Sequence, residues 1–288
     1  MKKRFGPTVI QGSIMGIAHN KLWAHVPRSA REEIILPYVT VQNMSECIKL
    51  RGSGAPGQSL ISNQILKRLL PASLQQYVNA VNLLFEKQRF QEGLLKVTQV
   101  LVLKEGPTRD PTNEKDYRPL GLQDDPIKAA TKYALQFFTK WSAKYQVVNE
   151  WQFANRKGVK PWYAIRLIRN LYTQQYREKG TFAAALLDAE DAYTSASHNR
   201  LKEAFKLAKV PQDFVRYIMN QIRGYDLTML TGRGKTKEIR IGSGFTQGDV
   251  FAPIGFCLYV DPLTQAMCRL NIGIRIKGHL ISIVVLGG

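Results

Sequence analysis

Apolar residues recur at helical spacing along much of this chain. Ile61, Ile65, Leu66 and Leu69 share one face of a segment that Ser59 or Ser62 can cap. Leu74, Val78, Val81, Leu84 and Phe85 do the same over about Ser73–Phe90. The same spacing predicts helices over Ile127–Val148, Trp162–Glu178, His198–Ala208 and Pro211–Arg223. A longer one runs over Asp249–Leu270, open to bending at Pro253 or Pro262. Shorter runs read as strands. Val97–Leu103 is β-like and ends at Lys104, and Phe182–Leu187 is a bounded apolar run that predicts a buried strand delivering Asp188. Tyr225–Leu230 and Thr236–Ile241 flank a glycine-containing turn, and Ile272–Lys277 with His279–Leu286 reads as a hairpin through Gly278. Arg51–Gly57 and Glu105–Asp116 are loops, and residues 1–50 show little period. This order predicts an α+β domain with a small antiparallel sheet packed on helices.

Composition narrows the class. Of 288 residues, 44% are hydrophobic, enough to fill a core and to exclude wholesale disorder. No apolar run reaches the ~18–20 residues of a membrane span. Met1–Arg4 is basic, but Gln11, Gly12 and Ser13 break the stretch behind it, so no secretory signal is expected. Cys47, Cys257 and Cys268 are odd in number and match no zinc spacing, which suits free thiols in a reducing, intracellular compartment, cytoplasmic or nuclear. The charge is the strongest signal: 41 Lys+Arg against 22 Asp+Glu gives +19. Such a chain calls for an anionic partner, and nucleic acid is favoured over a membrane because no Lys/Arg-rich helix with a clean apolar face stands out.

Two segments carry candidate chemistry. In Asp188-Ala189-Glu190-Asp191-Ala192-Tyr193, a carboxylate leaving a buried strand is a natural oxygen ligand for Mg²⁺, although Asp at a strand end also serves as a helix cap. Asp191 can cap the next helix or approach a ligand through its backbone. The second segment, Gly242–Pro253, joins the turn region to the long helix. Its glycines allow close approach of the backbone to a substrate, and Gln247 offers both donors and acceptors. Elsewhere the readings are plainer. His19, His25, His198 and His279 have no metal spacing, Asp124-Asp125 reads as a helix cap, and Cys257 with Cys268 reads as core packing. Trp141, Trp151 and Trp162 are base-stacking candidates or buried anchors. Lys206, Lys209, Arg216 and Arg223 track a phosphate backbone or form a solvated face.

These segments resemble the motifs of reverse transcriptases. Asp188–Tyr193 is similar to motif A, D-x-x-D-A-Y/F, and Gly244–Pro253 to motif B, G-x-x-Q-G-x-x-x-S/A-P. Lys104 with Tyr117-Arg118-Pro119-Leu120-Gly121-Leu122 resembles the fingers motif K…Y-R-P-I/L-x-L. Gln152–Gly158 resembles Q-x-G-F-R-x-G, with Ala154 and Asn155 in place of the usual residues. Gly54–Ile65 resembles the G-x-D-G-I/L region, with Gln58 or Ser59 where Asp is usual. All occur in family order, and their spacing is most like that of the non-long-terminal-repeat (LINE-type) retrotransposon enzymes, with group II intron enzymes as near relatives.

The resemblance implies a fingers-like region over 51–180 and a palm-like region over 181–288, with 1–50 unassigned. It implies RNA-templated DNA synthesis from dNTPs on a DNA primer or target DNA, through two Mg²⁺ ions about 3.5–4 Å apart. Asp188 would be catalytic and bind both metals, and the Ala189 carbonyl would complete one shell. Lys104 and Arg118 would clamp the triphosphate. The backbone of Asp191, Ala192 and Tyr193 would line the nucleotide pocket, the Tyr193 ring excluding a 2′-OH. Gln247 and Gly248 would touch the template base and nascent pair. RNA polymerases place a second Asp where Tyr193 stands, which favours deoxynucleotides.

One departure matters for activity. Motif C, Y/F-x-D-D, should follow the apolar strand at Ile281–Val285, but Leu286-Gly287-Gly288 stand there, and no Asp or Glu follows Asp261. Asp261 itself reads as surface or structural. The thumb helices are absent too. The expectation is a truncated or degenerate module that does not polymerise as it stands, the alternative being a non-catalytic nucleic-acid-binding or scaffolding protein on a palm-like fold.

Overall fold

The computed structural model describes residues 22–52, 54–91, 93–107, 109–153, 158–187, 192–270, 272–276 and 279–285. Nine α-helices stand among these residues: α1 (Val41–Lys49), α2 (Asn63–Lys67), α3 (Pro71–Lys87), α4 (Asp125–Lys144), α5 (Pro161–Arg177), α6 (Ala192–Ser195), α7 (His198–Leu207), α8 (Gln212–Arg223) and α9 (Ala252–Arg269). The strands are β1 (Lys96–Leu103), β2 (Tyr117–Leu122), β3 (Asp226–Thr231), β4 (Gly234–Lys235), β5 (Ile239–Arg240), β6 (Ile274–Ile276) and β7 (His279–Ile281). None of the described helices is long and apolar enough to cross a membrane.

The helices start where the local chemistry starts them. Ser62 and Ser197 accept from the N–H groups of Ile65 and Arg200 at 3.4 and 3.5 Å, each satisfying an otherwise orphan donor. Proline, whose missing N–H is no loss there, opens α3, α4, α5 and α9. α4 is the spine of the core. It buries Ile127, Tyr133, Phe138 and Trp141, and Phe138 stacks on Phe214 of α8 at 4.4 Å between ring centres.

The sheet runs β2-β1-β3-β4, with β5 also on β3, so a single sheet draws strands from both the 51–180 and the 181–288 spans. It is mixed rather than antiparallel throughout. β1 pairs antiparallel with β2 (Val102 opposite Arg118) but parallel with β3 (Val97 opposite Leu227). A parallel pair needs a long crossover, and the helical stretch from α4 to α8 provides it.

The predicted strand at Phe182–Leu187 does not form. These residues carry neither helix nor strand, and Leu186 and Leu187 are 95% and 91% exposed. Three consecutive alanines, Ala183–Ala185, have weak strand preference and little area to bury, and no described strand lies alongside to complete the ladder.

Residues 22–50 are ordered, although they show little period. Trp23 is fully buried, its indole N–H donating to the Val147 carbonyl at 2.6 Å. The backbone N–H groups of Ile35 and Leu36 both donate to Asp213 of α8, at 2.9 and 2.8 Å. Lys209 belongs to this seam. Its ammonium donates to the carbonyls of Trp23 and Val26, so it is a tether and not a phosphate contact. A Lys209→Ala chain is expected to lose about 1–3 kcal/mol in urea denaturation, as two buried carbonyls lose a charged donor.

Candidate nucleotide and nucleic-acid site

The loop between β5 and α9 is wedged between two segments that are distant in sequence. On one side, Gly244 N–H donates to the Ala196 carbonyl at 2.6 Å and Phe245 N–H to the Tyr193 carbonyl at 2.8 Å. His198 secures the same turn through Nε2, which donates to the Gly244 carbonyl at 2.7 Å, and burial lowers its pKa. On the other side, Gly121 N–H of β2 donates to the Gln247 carbonyl at 2.6 Å, so the loop extends the sheet beside Leu120. Glycine is required at two of these positions. Gly244 and Gly248 sit at φ +79° and +104°, and a Cβ on Gly248 would meet the Gly121 carbonyl oxygen at 2.8 Å.

This wedge brings separate sequence motifs together. Directly opposed residues of an antiparallel pair share a face, so the register puts Val102 and Arg118 on the same face as Lys104, two positions further along and just past the end of β1. The Lys104 backbone N–H donates to the Asp116 carbonyl at 2.7 Å, and its ammonium lies on the Lys115 carbonyl at 2.5 Å. Arg118 is exposed. The turn that carries this pair is stiffened by Asp116, which accepts from Arg109 at 2.9 Å and from Asp110 N–H at 3.1 Å. These bonds hold its carboxyl below the ordinary value. Tyr193 is half-buried across the loop from β2, its ring edge-on to Phe256 at 5.5 Å, and burial raises its phenol pKa. Ala192 opens α6. Gln247 and Gly248 lie on this loop, with the Tyr193 segment bonded to one side of it and β2, which carries Arg118, bonded to the other, while Lys104 stands just past the far end of the β1–β2 pair. Asp188, Ala189 and Asp191 lie outside the described residues, and among the described residues no group of three His, Cys, Asp or Glu side chains is placed to hold a metal ion.

Beneath the loop lies a polar network with no counterpart among the sequence expectations. Asp249 is buried. It accepts from Phe251 N–H at 2.7 Å and from the Tyr225 hydroxyl at 2.9 Å. Gln221 donates to that hydroxyl at 2.6 Å and accepts from Thr131 at 3.0 Å. Gln123, just past β2, donates to Thr246 at 2.8 Å. The loop is thus bonded to α4, α8 and the end of β2 through side chains that burial shields from water. The available signal was Asp249 itself, a carboxylate set between apolar residues at the mouth of a long helix.

Other expectations move. Asp124 occupies the N-cap position of α4 but makes no capping bond. It accepts instead from Ser59 N–H at 3.0 Å, while Asp125 pairs with Arg51 at 2.7 Å and accepts from Asn63 N–H at 2.7 Å. The pair anchors the 51–63 loop rather than starting a helix. Asp261 is fully buried and not on the surface. It accepts from Asn149 N–H, Gln152 and Gln265 at 3.0, 3.0 and 2.7 Å, and burial raises its pKa. Trp141 is a buried anchor, whereas Trp162 is exposed.

A small mixed sheet backed by helices, with a loop clasped between β2 and the Tyr193 segment, is compatible with a reverse-transcriptase-like fold. No family model matches the chain. It is similar to the probable RNA-directed DNA polymerase from transposon X-element of Drosophila melanogaster, with 22% identity over 233 residues. That match covers 80% of this chain and 25% of the fly protein, so the chain spans about a quarter of the relative's length. The similarity supports a distant relationship to a reverse transcriptase.

Proposed function

We propose that this chain is the nucleotide- and template-holding part of a LINE-type reverse transcriptase, with fingers-like and palm-like regions over 51–180 and 181–288. Its partners would be dNTPs, an RNA template and a DNA primer or target DNA. The observation that carries the reading is the clasp, in which Gly121 on β2 and Tyr193 beyond α5 grip opposite sides of the loop bearing Gln247 and Gly248. The distant similarity to a transposon RNA-directed DNA polymerase supports it. In this reading Arg118 and Lys104 hold the triphosphate, and the Tyr193 ring excludes a 2′-OH. Gln247 and Gly248 bear on the nascent pair.

Asp188 and the Ala189 carbonyl would hold Mg²⁺, whose bound form lowers the charge on the reacting phosphate. Within these 288 residues Asp261 is engaged by three N–H donors, and no acidic residue follows it. The chain alone is therefore proposed to bind without polymerising. The +19 charge by itself suits a second reading, a nucleic-acid-binding scaffold.

The test is to titrate the chain with a dNTP on a primed RNA template in Mg²⁺, then to follow extension. Nucleotide binding that falls about tenfold or more in Arg118→Ala, without primer extension, is the expected result, because hydrogen bonds to charged groups contribute about 1.5–3 kcal/mol. Salt-sensitive nucleic-acid binding with no dNTP affinity would leave only the scaffold. Extension abolished by Asp188→Ala would overturn the non-polymerising reading.

A further inference from the structure

Helix α5 is anchored by a narrow face and presents a broad one. Ala164 and Leu171 are its buried residues, and Gln174 reaches the Arg275 carbonyl at 3.5 Å. Outward stand Trp162, Tyr163, Ile165, Tyr172 and Tyr176, with Trp162 44% and Tyr176 75% exposed. Among them are the exposed Arg166, Arg169 and Arg177, and no Asp or Glu occurs within Pro161–Arg177. None of the three arginines makes an ion pair among the described residues. At 3.6 residues per turn, Trp162, Arg166, Arg169, Thr173 and Tyr176 fall on one stripe.

The rings on this face are already arranged in pairs. Trp162 and Tyr163 lie 4.1 Å apart at 23°, with the Arg166 guanidinium 5.9 Å from the Trp162 ring. Tyr172 and Tyr176 lie 6.4 Å apart at 23°. Trp162 and Tyr172 are ten positions apart, which at 1.5 Å per residue is about 15 Å along the helix. We infer that this face of α5 is a platform for single-stranded nucleic acid, its bases stacking on the two ring pairs and its phosphates tracking Arg166, Arg169 and Arg177.

The alternation of π surface with guanidinium is what selects the partner. A protein segment laid here would have to bury three arginines with carboxylates of its own. An unpaired nucleic-acid strand brings flat bases and one phosphate per nucleotide in a single molecule. The chain's +19 charge points to the same kind of partner. Because every base has a π-face and neither ring nor guanidinium reads the 2′-OH, the platform takes RNA and DNA alike. This surface shares no residue with the clasp around Gln247, so it stands or falls independently of the proposed nucleotide site.

The experiment measures binding of the full chain to a labelled 12-nucleotide single strand, as RNA and as DNA of the same sequence, across a salt series. Trp162→Ala and Tyr176→Ala are each expected to weaken binding about fivefold or more, one stacked base being worth at least about 1 kcal/mol. The Arg166→Ala/Arg169→Ala chain is expected to flatten the slope of log affinity against log salt by about 1.4, two single-strand phosphate contacts at ~0.7 each. Exposed positions keep the melting curves of all these variants near that of the wild type. Arg233→Ala, in the exposed turn between β3 and β4 and outside both sites, is the charge control and should leave single-strand affinity within about twofold. Unchanged affinity and salt slope in every α5 variant would overturn the platform, as would loss of single-strand binding in Arg233→Ala alone. A dNTP titration without binding, beside intact α5 effects, would sink the nucleotide site and leave the platform standing.

Discussion

A Gly244→Ala chain is expected to lose about 3 kcal/mol or more of stability, with nucleotide binding lost alongside. Gly244 sits at φ +79°, a conformation that costs an L-residue about 1 kcal/mol. The larger part is steric. A Cβ there would stand 2.3 Å from the Thr194 carbonyl oxygen and 2.6 Å from the Thr194 Cα, and backbone cannot rotate away as a side-chain tip can. Relief requires the loop to back off from Tyr193–Ala196. That breaks the Gly244 and Phe245 bonds to that segment and the His198 bond to the Gly244 carbonyl. Gly232 is the control. It lies in the exposed turn between β3 and β4, where a Cβ meets nothing within 4 Å, so Gly232→Ala is expected to change stability by less than about 0.5 kcal/mol. Urea denaturation of the two chains decides the matter: equal midpoints would mean that the loop is not seated against Thr194.

What could be read from the sequence followed the period of its apolar residues. α3, α4, α5 and α8 each repeat an apolar face over three or more turns, so the pattern outlasts local accident, and the structure has helices at all four. β1 and β3 were visible as apolar runs, but their parallel pairing was not, because it depends on the crossover between them and leaves no mark on either strand. Phe182–Leu187 shows the limit of composition. An apolar run becomes a buried strand only when neighbours supply a ladder and a cover, and neither can be read from the run itself. The order in residues 22–50 was hidden for the opposite reason. Trp23, Val26 and Ala30 are buried singly, and the bonds that hold this stretch run to Val147, Lys209, Asp213 and Gln265, all remote in sequence, with no repeat to betray them.

The site divides along the same line. Lys104, Arg118, Tyr193, Gln247 and Gly248 could be singled out from motifs, and backbone bonds join the loop bearing Gln247 and Gly248 to Leu120–Gly121 and to the Tyr193 segment. The residues that hold the loop in place, His198, Gln123 and Asp249, act through partners 46, 123 and 24 positions away, and no local pattern announces such pairs. Lys209 looked like a surface cation for the same reason. Its carbonyl partners lie more than 180 positions upstream.

Asp249→Ala is the complementary test from below the loop, with an expected loss of about 2–4 kcal/mol. The alanine leaves the Phe251 N–H and the Tyr225 hydroxyl without an acceptor in a site closed to water, and Gln221, itself bonded by Thr131, loses the fixed hydroxyl it donates to. Asp249→Asn keeps one acceptor oxygen and makes the electrostatics legible. Burial raises the Asp249 carboxyl above its ordinary value, against the pull of its bonds to Phe251 and Tyr225 and the nearby Lys128 ammonium. A carboxyl with a raised folded pKa binds more protons folded than unfolded. Its contribution is complete at low pH and is lost as pH climbs from the ordinary value through the folded one. Asparagine has no such dependence. The deficit of Asp249→Asn relative to the wild type should therefore be largest in acid and shrink as pH rises toward neutral in a series of urea titrations. A deficit that grows with pH would mean that the hydrogen bonds outweigh burial, and that the loop rests on a carboxylate charged throughout.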